Sequence, residues 1–78
     1  MSLELDVHGY TTAMVIRAIQ RCIINNPSCR CIEVIHGFNN GSRIKDLLKN
    51  KYNIHNRKVE KTLPDPFNEG KTMIFLHN

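Results

Sequence analysis

The chain has 78 residues, enough for one domain with a modest core and near the lower limit for folding alone. Its 41% apolar and 23% charged residues exclude a disordered chain, and no apolar run approaches the ~20 residues that cross a bilayer. Eleven Lys and Arg against seven Asp and Glu give a net +4, a charge that suits an anionic partner but also serves solubility alone.

Leu3, Leu5 and Val7 alternate with Glu4, Asp6 and His8, the pattern of a strand with one apolar face. Gly9 and Tyr10 end it, and Thr11 or Thr12 is positioned to cap the start of a helix. Val15, Ile16, Ile19, Cys22 and Ile23 recur at helical spacing with Arg17, Gln20 and Arg21 opposite, which predicts an amphipathic helix that Pro27 stops. The β-branched run RCIEVIHG, residues 30–37, reads as a buried strand. Ile44, Leu47 and Leu48 mark a second helix, with Arg43, Lys45, Lys49 and Lys51 around it. Residues 53–57 read as irregular and Val59 to Leu63 as a third strand. Pro64 to Gly70 form a turn-rich connection, and Thr72 to Leu76 a final strand.

The expected fold is an α/β (α+β) two-layer sandwich, β-α-β-α-β-β, in one domain over residues 1–78. Its sheet is four-stranded and mixed, with the last strand antiparallel and both helices on one face. The amino terminus lacks the layout of a signal peptide, so the expected location is cytoplasmic, with no membrane partner. Cys22, Cys29 and Cys31 then read as reduced thiols. The Cys29-x-Cys31 spacing is not that of a zinc knuckle, even with His36 and His55 recruited, and no metal site is assigned.

Parallel strands that feed helices end on one edge, where ligands bind. LDVHG (residues 5–9) and IHG (35–37) therefore bring His8-Gly9 and His36-Gly37 to the same edge. Asp6 and His8 project from one face of their strand, so the carboxylate can fix the imidazole's tautomer or raise its pKa for acid–base work. Asn39, Asn40, Gly41 and Ser42 precede the second helix, where backbone N–H groups, Arg43 and Lys45 can receive an anion. Each feature also has a purely structural explanation: a capped strand end, or an Asn-Gly turn.

The two corners resemble the signatures of the Smr (small MutS-related) domain. The first, LDxHG, is matched by Leu5, Asp6, Val7, His8 and Gly9. The second, HGxGxG, reads HGFNNG here: His36, Gly37 and Gly41 match and Asn39 replaces the middle glycine. Asn tolerates positive φ, but its side chain takes up space beside an approaching backbone. The likeness runs from about Leu5 to Leu76. It implies a sandwich similar to the C-terminal domain of translation initiation factor three, and an endonuclease that cleaves RNA or nicks DNA. Asp6, His8 and His36 become the expected catalytic residues. Gly9, Gly37, Phe38, Asn39, Asn40, Gly41, Ser42, Arg43 and Lys45 become the expected nucleic-acid contacts, with Phe38 either stacking on a base or packing on the sheet.

On RNA, His8 or His36 would take the 2′-hydroxyl proton while the other protonates the leaving oxygen. On DNA, a divalent metal such as Mg2+ at Asp6, with Glu4 nearby, would be the cofactor. Two alternatives stand beside this. One is a non-catalytic RNA- or ribosome-binding module using Arg43, Lys45, Lys49, Lys51, Arg57, Lys58, Lys61 and Lys71 as a basic rim. The other is a protein-interaction domain that uses the open sheet face, for example as a homodimer. The oligomeric state is not set by the sequence.

Overall fold

The computed structural model describes residues 1–38 and 41–77. Among these the order is β1 (Ser2–Asp6), α1 (Thr12–Asn25), β2 (Cys31–Ile35), α2 (Arg43–Leu48), a 3₁₀ turn (Lys51–Ile54), β3 (Val59–Asp65) and β4 (Asn68–Leu76). The sheet order is β1-β2-β4-β3. β1 and β2 are parallel, and β4 runs antiparallel to both β2 and β3. The last strand thus inserts between the second and third, leaving β1 and β3 as the edges.

The hydrophobic periods place the layers. Val15, Ile19 and Ile23 recur every four residues and form the buried face of α1, while Thr11 caps its start by accepting from the Met14 N–H. In β2 and β4 alternate residues face inward, so Ile32, Val34, Ile74 and Leu76 meet the helices. Val7, Leu48, Ile54 and Val59 complete one core cluster, with Leu3, Leu5 and Ile44 packed against it. Truncating a fully buried member such as Ile19 to Ala would cost about 2–5 kcal/mol. The other sheet face is open: Glu33, Met73, Phe75 and Lys71 are only half-buried there, and Lys71 pairs with Glu33 at 3.1 Å.

Element boundaries differ from the sequence reading, most of all in the second half of the chain. Residues 51–54 form a 3₁₀ turn whose Ile54 is fully buried, where irregular chain was expected from 53 onward. Gln20 Nε2 donates to the Ile54 carbonyl at 2.9 Å and ties this turn to α1. Both final strands reach further than expected, leaving only a short turn at 66–67. The Pro-rich composition concealed this, because Pro64 lies on an edge strand that bulges beside it. The cysteines are free, as read from their number. Burial pushes the Cys22 and Cys31 thiols above their ordinary value, so they are poor nucleophiles.

Candidate functional site

β1 and β2 pair in register from Ser2–Cys31 to Asp6–Ile35, and the Val7 N–H continues the ladder to the Ile35 carbonyl at 2.9 Å. The two chains leave the sheet side by side, at the ~4.8 Å spacing of neighbouring strands. Each turns at a glycine with positive φ, 78° at Gly9 and 73° at Gly37, a conformation that strains any residue with a Cβ. Gly9 and Gly37 both border one cleft of about 350 Å³, walled by Gly9, Tyr10, His36, Gly37, Gly41, Arg43, Ile44 and Lys45, while Asp6 and His8 lie beside it and are not among its lining residues.

At the first corner, Asp6 Oδ1 accepts from the backbone N–H of His8 at 3.1 Å and lies 2.7 Å from His8 Nδ1. The ring hydrogen bond draws the Asp6 carboxyl below its ordinary value and raises the imidazole above its own. Both side chains are exposed, 56% for Asp6 and 79% for His8. With Nδ1–H anchored on the carboxylate, Nε2 carries the lone pair and has no partner among the described residues.

At the second corner, His36 is 8% exposed. Its Nδ1 lies 2.7 Å from the Gly37 carbonyl, to which it donates, and its Nε2 lies 2.8 Å from the Thr72 hydroxyl. The backbone N–H groups of His36 and Gly37 both donate to the Gly70 carbonyl, at 2.9 and 3.0 Å. A Cβ on Gly70 would stand 3.1 Å from the Gly37 Cα, so that glycine permits the close approach. Gly70 and Thr72 brace this corner, and neither emerged from the sequence reading. The detectable signal for Thr72 was its parity: it shares the inward phase of Ile74.

The remaining expected residues divide. Gly41, Arg43 and Lys45 line the cleft, and so do Tyr10 and Ile44, which sequence reasoning did not single out. Phe38 is 56% exposed. Asn39 and Asn40 lie outside the described residues. The Ser42 hydroxyl donates to Asp46 Oδ2 at 2.8 Å, and α2 has only six residues, so charge at this wall comes chiefly from the Arg43 and Lys45 side chains. The residues of the basic rim border several different features of the surface. Arg43 and Lys45 face the cleft, Lys51 and Arg57 line a different cavity, and Lys71 sits on the open sheet face paired with Glu33.

Among the described residues no group of three or more His, Cys, Asp or Glu side chains converges on a point where a metal could sit. Asp6 Oδ1 already serves His8, and Glu4, two residues away on the same strand face, makes a pair of carboxylates and not a closed ligand set. The donor set does not fit a resident metal. Nor is any helix among the described residues long and apolar enough to cross a membrane.

No protein-family profile matches the chain, and no curated protein does. Among solved structures, the chain is similar to the Smr domain of Thermus thermophilus MutS2, with a TM-score of 0.77 over 96% of this chain and 98% of that one, at 16% identity. At that identity the likeness is one of architecture, and in architecture this chain is an Smr-like domain.

Proposed function

We propose that the cleft between the two corners binds a nucleic-acid phosphodiester, and that the Asp6–His8 pair makes the chain an endonuclease acting on RNA. The observation that carries this reading is the 2.7 Å contact of His8 Nδ1 with Asp6, immediately before a glycine that shares its cleft with Arg43 and Lys45. Asp6 holds the tautomer that leaves Nε2 as a base. His8 Nε2 takes the 2′-hydroxyl proton, the 2′-oxygen attacks phosphorus, and the bond to the 5′-oxygen breaks. The products are a 2′,3′-cyclic phosphate and a 5′-hydroxyl, which takes its proton from water. Arg43 and Lys45 offset the charge that grows on the phosphoryl oxygens. His36 acts as a positioning residue, since both of its ring nitrogens are engaged in holding the second corner. The free thiols fit a reducing, cytoplasmic setting.

A non-catalytic binding module is the second reading. His36 favours it: with that ring occupied, the site has one available imidazole instead of an acid–base pair. Structured RNA, including that of the ribosome, is then the expected ligand, held with steep salt dependence.

Incubating wild type and His8→Ala with labelled single-stranded RNA and DNA, with and without magnesium, separates the readings. Cleavage of RNA alone to a cyclic phosphate, reduced about 10²–10⁴-fold in His8→Ala with binding retained, supports the first. Salt-sensitive binding without cleavage supports the second, and failure to bind either polymer removes both.

A further inference from the structure

A larger cavity, about 560 Å³, lies at the other end of the sheet. Its walls come from the 3₁₀ turn, the segment leading into β3 and the residue after β4. Val59 pairs with Leu76 there, whereas the His-Gly corners lie beside the opposite end of β4, where Ile35 pairs with Lys71. Lys51, His55, Arg57 and His77 line the cavity together with Tyr52, a residue that is 74% exposed, and no carboxylate is among the described residues that line it.

Two of these groups are held in place. The Lys51 ammonium donates to the Glu60 carbonyl at 2.9 Å and sits 5.3 Å from the centroid of the Tyr52 ring. A strand irregularity between Val59 and Lys61 takes Glu60 out of register with β4. An ammonium has three donors, so this bond leaves two for a ligand. His55 is the one non-glycine with positive φ, 58°, among the described residues, at a cap position that Gly or Asn normally fills. An imidazole is thus kept in the cavity wall despite a backbone cost.

An aromatic wall, converging cations and no lining acid suit a flat ring that carries negative charge. The volume falls within the roughly 300–1,000 Å³ of small-molecule sites. Aromatic rings accept any nucleobase face, while lysine and arginine are the usual partners of phosphate. We propose that this cavity is a nucleotide site, with the base on Tyr52 and the phosphate on Lys51 and Arg57. It is separate from the cleft and does not depend on cleavage there. The ligand is either a free nucleotide or one nucleotide unit of a strand.

The test is an amide-resolved 15N NMR titration of the whole chain with AMP, inorganic phosphate and hexa-adenylate RNA. AMP is expected to shift the amides of residues 51–59 and 77 saturably, with phosphate at least about tenfold weaker at the same amides. Tyr52→Ala weakens AMP about tenfold and leaves phosphate unchanged. Arg57→Glu weakens both. A hexamer at least about tenfold tighter than AMP at these amides identifies a strand unit, and equal or weaker binding identifies a free nucleotide. AMP affinity unchanged in either variant overturns the proposal, as does the absence of saturable shifts at 51–59 with all three probes. Gly9, Tyr10 and Gly37 report the cleft separately in the same spectra, so the two sites succeed or fail independently.

Discussion

His8-Gly9 and His36-Gly37 are the same dipeptide at the ends of two adjacent parallel strands, but they are one residue out of step in the ladder and differ in nearly every physical respect. His8 is exposed and paired with a carboxylate; His36 is buried and hydrogen-bonded at both ring nitrogens. One cause is phase: Asp6 pairs with Ile35, so His36 falls level with buried Val7 and follows the inward Ile32 and Val34, whereas His8 follows the outward Glu4 and Asp6. The other is strand position. β1 is an edge with nothing beyond it, whereas β2 is central and β4 runs along its other side. The start of β4 brings Gly70 and Thr72 over the second corner, and among the described residues no equivalent strand reaches the first. The comparison teaches that a shared motif assigns no shared environment: one imidazole is open to solvent beside a carboxylate, and the other is held at both ring nitrogens.

Alanine at each histidine is the hardest test of this contrast. His8→Ala should lower RNA cleavage about 10²–10⁴-fold while leaving the urea midpoint nearly unchanged, because an exposed ion pair adds little to stability. His36→Ala should do the reverse in kind. It loses a buried ring and strands the Thr72 hydroxyl, costing about 2–4 kcal/mol by urea denaturation. Equal stability losses in the two variants would erase the distinction.

Gly70→Ala sharpens the contrast from the bracing side. Its new Cβ meets backbone 3.1 Å away, which cannot swing aside as a side chain would. A loss of about 1–3 kcal/mol is expected, with amide shifts at Gly37 larger than at Gly9.

The smallest expected effect is in pH dependence. Asp6 raises the His8 imidazole above its ordinary value, so removing that charge with Asp6→Asn lowers it. Cleavage that needs neutral His8 rises with pH through this titration, and the acidic limb of the pH–rate profile should therefore move to lower pH. A limb that stays in place would show that His8 is not the titrating base.

Much of the fold was legible because periodicity reports burial directly. The four-residue recurrence of Val15, Ile19 and Ile23 and the alternation in residues 31–35 each required only a solvent boundary to be read. The 3₁₀ turn was not legible, since a single buried Ile54 among Asn, Lys and Tyr has no period. At the site, the pairing of Asp6 with His8 followed from a two-residue separation on a strand. The bracing of His36 by Thr72 spans 36 residues, and its local trace is only that each residue follows the inward phase of its strand, which names no partner.

By itself the sequence determined what depends on near neighbours along the chain: the elements, the two glycine turns, the contact of Asp6 with His8, and the arrival of both corners at one edge through parallel topology. Only the tertiary structure decided that β4 inserts beside β2, so that Gly70 and Thr72 close over one histidine and leave the other in water. The physical reason is that hydrogen bonds and burial act through space. Two identical dipeptides acquire different chemistry because they leave the sheet in opposite phase and only one of their strands has a second neighbour.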